Sequence, residues 1–193
     1  MAPLDRIRRC ATGLGAVLAL AVLPVTAQAD GDDASPLFGL IDAATQRLQT
    51  AEPVAATKWI NGGSIEDPSR VQQVLNAVAA DATRKGVEPD YVRGVFTDQV
   101  HATEALEYSR FAQWKLDPAA APGVAPDLTS SRETIDRLNS EMVDQIAMQW
   151  AVLHSPDCGR LLADAKAAVT TARSLDPLYQ QALDFSTHSY CGS

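Results

Sequence analysis

The chain contains few of the residues that metal and nucleotide chemistry requires. It has three histidines and three cysteines among 193 residues, and no cluster of them has the spacing of a metal site. The three histidines are scattered: His101, His154 and His188. No glycine-rich phosphate-binding loop is present, and no recognisable nucleophile elbow surrounds a serine. We therefore expect a protein that works without a metal ion or another cofactor.

Strict alternation of apolar and polar residues, and runs of β-branched residues, are almost absent, which argues against β-strands. Apolar residues instead recur at spacings of three and four, in segments bounded by proline and glycine. This pattern predicts an all-α single domain of about six helices. The first is long, running from Ser35-Pro36 to just before Gly62-Gly63 with a kink at Pro53. The other five are predicted over residues 67–86, 89–117, 129–154, 159–173 and 176–190.

The sequence has one long apolar run, which lies near the N-terminus and is followed by a motif of small residues. Three arginines precede the apolar residues 14–25, and Ala27-Gln28-Ala29 has the form of a cleavage site. We interpret residues 1–29 as a signal peptide cleaved near Ala29. Residues 30–193 are then the mature domain, secreted or periplasmic and without a membrane anchor, because no other run approaches the roughly 18 residues that span a bilayer.

Basic residues are outnumbered by acidic ones. The formal charge of −8 becomes −10 without residues 1–29, which contain three basic residues and one acidic residue. Such a surface disfavours nucleic acid and anionic membrane as partners. An anion would have to bind in a local positive pocket.

Two cysteines, Cys158 and Cys191, remain after the signal peptide with Cys10 has been removed. In an exported protein we expect them to form a disulfide, which would close a loop of roughly 34 residues and hold the C-terminus to the start of a late helix. The alternative is a catalytic thiol, but no arrangement of cysteine and histidine supports it.

Several charged and polar residues occur where the helices should bury apolar ones. Arg47 and Lys58 are eleven residues apart, so in a helix they share one face, beside the apolar stripe of Leu40, Ala44 and Leu48. Further polar positions on or beside apolar stripes complete a set that could converge inside a bundle: Arg70, Thr103, Glu107 and Arg132.

Each of these positions, taken alone, is more often a snorkelling or surface-paired charge than a ligand contact. Glu107 could form only a structural ion pair with Arg110 or Arg132. Periodicity alone thus predicts a secreted helical domain that could contain an anion pocket.

The sequence resembles the exported all-helical chorismate mutases, the gamma subclass of the AroQ-type fold. The resemblance lies in four segments and covers nearly the whole mature chain, including both cysteines: LIDAATQRLQTAEPVAATKW, IEDPSRV, DYVRGVFTDQVHATEALEYSRFAQWKLDP and SRETIDRLN. It implies an enzyme that converts chorismate to prephenate by a cofactor-free pericyclic rearrangement. It also implies a homodimer with one pocket inside each protomer.

The resemblance implies roles for the cations. Arg47 and Arg132 would clamp substrate carboxylates, and Lys58 would reach a carboxylate and the ether oxygen. Arg70 would hold the second carboxylate or position the ring. Glu107 would face the ether oxygen, which makes Lys58, Glu107, Arg47 and Arg132 the expected catalytic residues.

The remaining contacts concern the hydroxyl side and the pocket wall. The resemblance implies Asp67 and Thr103 there, with Glu104 as a weaker candidate for the wall. The residue one turn after Arg70 is often glutamine or another polar group in this subclass, but here it is Val74. Gln73 is adjacent yet about 100° around the helix. This departure favours one alternative, a secreted non-catalytic helical protein that binds a small dicarboxylate or acts as an effector.

Overall fold

The computed structural model describes residues 35–192, so the predicted signal peptide and its cleavage site lie outside the described residues. Within this range all regular structure is helical, which confirms the predicted all-α fold. The α-helices are α1 Phe38–Gln49, α2 Ala51–Asn61, α3 Pro68–Lys85, α4 Pro89–Leu116, α5 Leu128–Met148, α6 Trp150–Leu153, α7 Cys158–Ala172 and α8 Pro177–Ser186. A short 3₁₀ helix, Pro118–Ala120, follows α4.

The predicted long first helix is present as α1 and α2, which are separated by one residue, Thr50. Pro53 explains the break, because it has no N–H to donate to the carbonyl of Gln49 and its ring crowds that carbonyl. The backbone N–H of Thr50 bonds to the carbonyl of Arg47 at 3.2 Å instead, a tighter turn than the α-helical one. The kink therefore lies just before Pro53, between the two predicted cations.

The predicted fourth helix is likewise divided, at Gln149, into α5 and α6. Backbone hydrogen bonds continue across the division, since Gln149 N donates to Gln145 O and Leu153 N donates to Gln149 O, both at 2.9 Å. Counting each divided rod once, the eight α-helical segments of the described range correspond to the six predicted helices.

Helix α1 lies at the centre of the fold and packs against α4, α5, α7 and α8. Its inner residues Leu40, Ile41, Ala44 and Leu48 are fully buried. The long helix α4 packs against α2, α3 and α8. Helices α1 to α5, with their connecting segments, contain the polar residues that the sequence predicted to contact a substrate.

The C-terminus is fixed by the predicted disulfide. Cys158, the first residue of α7, is bonded to Cys191, which confirms the pairing. The neighbouring Tyr190 is fully buried, and its carbonyl accepts a hydrogen bond from the hydroxyl of Tyr91 in α4. The last residues thus belong to the core.

Among the described residues, no helix has both the length and the apolar character that crossing a membrane requires.

Candidate active site

One cleft between helices α1 to α5 gathers the residues that the sequence predicted to contact a substrate. Its volume is about 680 Å³ when the space open to solvent at its mouth is included. All seven main candidates line it: Arg47, Lys58, Asp67, Arg70, Thr103, Glu107 and Arg132. Of the weaker candidates, Glu104 and Val74 line it as well. Gln73 does not, because it is exposed and faces a neighbouring groove between α3 and α5.

Arg47 is a buried cation whose partners are neutral. Its Nε donates to Oδ1 of Asn139 at 2.7 Å, and its Nη1 donates to Oγ1 of Thr103 at 3.3 Å. The guanidinium also lies 5.7 Å from the centre of the Phe96 ring. Burial lowers the pKa of Arg47 to about 10, so the group keeps its charge at neutral pH. A buried charge normally has an anionic partner, and here the described residues supply none.

Lys58, in the last turn of α2, forms an ion pair with Glu107. Lys58 Nζ donates to Oε2 of Glu107 at 2.7 Å and to the carbonyl of Ile65 at 2.6 Å. Glu107 is only 3% exposed. Burial raises the pKa of its carboxyl, and the hydrogen bond from Lys58 opposes that rise without cancelling it. The structure thus leaves Glu107 easier to protonate than an ordinary glutamate.

The alternative ion pairs considered for Glu107 are not the ones formed. Arg110 pairs with Glu52 in α2, outside the cleft. Arg132 is exposed on α5 and forms no ion pair within the described range. Its charge is therefore available at the cleft.

Arg70 and Asp67 are held together by the start of α3. Asp67 caps the helix, with Oδ1 accepting the backbone N–H of Arg70 at 3.0 Å, and Pro68 occupies the first turn, where its missing N–H costs nothing. The Arg70 side chain donates through Nη2 to Oδ1 of Asp136 at 2.6 Å. This pair lies between the cleft and the groove that Gln73 faces.

Thr103 and Glu104 complete the wall on α4. The hydroxyl of Thr103 donates to the carbonyl of Gln99 at 2.7 Å, which fixes the oxygen that accepts from Arg47. Burial raises the pKa of Glu104. The cleft therefore combines four cations with three acidic residues, of which Glu107 is buried.

Sequence reasoning missed three groups of the site: Asp136, Asn139 and the carbonyl of Ile65. Asp136 is one turn after Arg132 on α5, a spacing that could have suggested it. Asn139 is buried next to the buried Leu138, and its neighbourhood in the sequence does not distinguish it from a surface asparagine. A backbone carbonyl in a loop gives no sequence signal.

The comparisons with known proteins agree with one another. The family model described as chorismate mutase type II matches residues 39–108. The chain is 60% identical over 166 residues to a secreted chorismate mutase of Mycolicibacterium smegmatis, covering 86% of this chain and 92% of that protein. It is 50% identical over 168 residues to a secreted chorismate mutase of Mycobacterium tuberculosis, covering 87% and 83%.

Solved structures give the same result. A chorismate mutase from Burkholderia thailandensis superposes with a TM-score of 0.77 at 37% identity, over 81% of this chain and 99% of that one. A chorismate mutase from Burkholderia phymatum superposes with a TM-score of 0.78 at 27% identity, over 82% and 98%.

Proposed function

This chain belongs to the type II chorismate mutase family, and we propose that it converts chorismate to prephenate in the cleft that helices α1 to α5 form. The observation that carries the proposal is the convergence of the seven predicted residues on one cleft. The chemistry is a unimolecular pericyclic rearrangement, in which the ether C–O bond breaks as a new C–C bond forms. No nucleophile or electron carrier takes part, so the protein has to bind, orient and stabilise charge.

The first task is to hold the dianion in the compact conformer that reacts. Arg47, Arg70 and Arg132 line the cleft from three different helices. We assign them to the two carboxylates, because the planar guanidinium binds a carboxylate through two parallel hydrogen bonds. Fixing both ends of a flexible substrate lowers the entropic part of the barrier.

The second task is to stabilise the negative charge that develops on the ether oxygen. Lys58 and Glu107 bond to each other in the free site, so both are directed at the same point. We assign both to that oxygen, Lys58 as a charged donor and Glu107 as a donor in its protonated form. A carboxylate there would repel the oxygen, and the raised pKa of Glu107 favours the protonated form.

Three further properties are part of the proposal. The close relatives are named as secreted proteins, which supports export through residues 1–29. The family relationship is the basis for proposing a homodimer with one site in each protomer. Finally, Val74 is buried and lines the cleft, so recognition of the substrate hydroxyl falls to other groups such as Asp67.

The direct test is the loss of chorismate absorbance with purified protein that begins at Asp30. We expect prephenate to form, and we expect Lys58→Ala to reduce turnover by about 10² to 10³-fold, the usual effect of removing one such donor. Lys115→Ala is the matched control, since Lys115 is exposed on α4 outside the cleft.

Folded protein that binds prephenate without consuming chorismate would contradict the proposal. That result would support the dicarboxylate-binding alternative, which the family relationship does not favour.

A further inference from the structure

Asn139 lies behind the cleft, where α5 packs against α1. It is 6% exposed, and its Oδ1 accepts the hydrogen bond from Nε of Arg47 at 2.7 Å. It does not line the cleft but the neighbouring groove, which shares Arg70 and Val74 with the cleft. Within the described residues the side chain of Asn139 makes one hydrogen bond, to Arg47, so we look for its influence on the reaction through Arg47.

The direction of the Arg47 fork is set from behind. A guanidinium is planar and rigid, so a hydrogen bond at Nε restricts the orientation of the whole group. The second bond, from Nη1 to Thr103, fixes rotation further, because the Thr103 hydroxyl is itself held by the carbonyl of Gln99. The orientation of the remaining N–H groups of Arg47 is therefore fixed before a ligand binds.

The neutrality of the Asn139 amide matters as much as its position. An aspartate has nearly the same shape and could accept the same hydrogen bond, but it would neutralise the guanidinium. Thr103 and the Phe96 ring are also uncharged partners. Arg47 is consequently oriented by its neighbours without an ion-pair partner among the described residues, and Asp136, which is bonded to Arg70, acts on its charge only from a distance.

We propose that Asn139 is a positioning residue that orients Arg47 toward a substrate carboxylate and, because it is a neutral acceptor, leaves Arg47 without an ion-pair partner until that carboxylate binds. This inference deepens the proposed function and depends on it. It distinguishes the hydrogen bond, which an aspartate would retain, from the neutrality, which an aspartate would remove.

The test compares Asn139→Asp with Asn139→Ala by steady-state kinetics on chorismate, with thermal unfolding measured for each variant. We expect Asn139→Ala to raise KM about three- to tenfold, because orientation weakens while the charge remains free. We expect Asn139→Asp to raise KM further, by about 30-fold or more, although the acceptor is kept and the fold is at least as stable. The midpoint of thermal unfolding separates this effect from a loss of folding.

Asn76→Asp is the matched control, because it adds the same charge on the exposed face of α3. It should leave KM within about twofold of the wild type. A purely structural role for Asn139 predicts the opposite order, with Asp rescuing the loss caused by Ala, and that order would overturn the inference. An Asn139→Asp protein that does not fold would overturn it too, because a buried guanidinium without an ion-pair partner should accept a carboxylate neighbour.

The failure of this inference is distinguishable from that of the proposed function. If the folded wild-type protein does not convert chorismate, the proposed function itself is wrong. Normal turnover in the wild type, together with an unchanged KM in Asn139→Asp, defeats only the role of Asn139.

Discussion

Four cations line the cleft, and each has a different environment in the free protein. Arg47 is bound by neutral groups, Lys58 by the buried Glu107, and Arg70 by the half-exposed Asp136. Arg132 makes no ion pair within the described residues. Arg47 and Arg132 can therefore bind a carboxylate without first releasing an acid. A substrate carboxylate at Arg70 would instead compete with the carboxylate of Asp136.

Glu107 should give the enzyme a characteristic pH dependence. Burial raises the pKa of its carboxyl, and the protonated form, which we propose donates to the ether oxygen, is present below that pKa and is lost above it. We expect kcat to fall as pH rises through the raised pKa, and we expect Glu107→Gln to keep turnover while flattening the fall. The measurement is kcat against pH for both proteins.

Glu133→Gln, an exposed change on α5, should leave the wild-type pH profile in place. If Glu107→Gln shows the same fall in kcat with pH as the wild type, then Glu107 is not the titrating donor.

Val74 offers a test of hydroxyl recognition. It is 5% exposed and lines the cleft one turn after Arg70. Val74→Gln places an amide where a substrate hydroxyl could bond to it, and one such bond is worth about 1 kcal/mol, or roughly fivefold in KM. We expect KM for chorismate to decrease by about that factor.

Ala77→Gln, which puts the same side chain on the exposed side of α3, is the comparison for Val74→Gln. Equal KM values in the two variants would show that position 74 has no part in hydroxyl recognition.

At the scale of the helices, breaks and caps place the site residues. The break at Thr50 divides the rod that carries Arg47 and Lys58, and the Asp67 cap places Arg70 in the first turn of α3. Helix α3 ends at Gly86, whose φ of 70° lies in the left-handed region that other residues disfavour. Each of these features has a local sequence cause in proline, aspartate or glycine.

Two glycines allow a matched test of that local control. A Cβ at either Gly86 or Gly94 would meet no other atom within 4 Å, so only the backbone conformation differs between them. Gly86→Ala should lower the free energy of unfolding by about 1 kcal/mol, because alanine is strained at positive φ. Gly94→Ala, inside α4, should raise it by about 0.5–1 kcal/mol.

Chemical denaturation of both glycine variants measures these changes. Equal effects of the two substitutions would mean that the left-handed end of α3 contributes nothing to stability.

For the whole molecule, the disulfide joins the last residues to α7, while the cleft is built from α1 to α5. Replacing both Cys158 and Cys191 by serine should lower the free energy of unfolding by about 3–4 kcal/mol, since the bridge spans 33 positions and its loss frees the unfolded chain. Turnover of the folded variant at 25 °C should stay within about twofold of the wild type. Denaturant unfolding and chorismate turnover, measured on the same preparation, check both statements.

Wild-type protein unfolded in the presence of a reductant is the control for the serine variant, and it should show the same loss of stability. A variant that keeps its stability but loses turnover would instead place the bridge in the active-site machinery.

The positions of the helices and the faces that carry the charged residues could be predicted from the sequence alone, whereas the division at Gln149 and the end of α8 at Ser186, four residues before the predicted end, could not. The predictable features follow from local rules, because helical periodicity, proline, glycine and capping residues act over a few positions. The shared face of Arg47 and Lys58 and the cap at Asp67 are of this kind. The family resemblance added the roles of these residues, which periodicity does not contain.

The group that each charge contacts follows from how the helices pack and could not be predicted from the sequence. Glu107 pairs with Lys58, 49 positions away, and not with Arg110 on its own helix. Arg47 bonds to Asn139, 92 positions away, and Arg70 bonds to Asp136. Such partners depend on how helices pack and on the depth of each group below the surface, and neither the packing nor the depth is encoded within one turn of a helix.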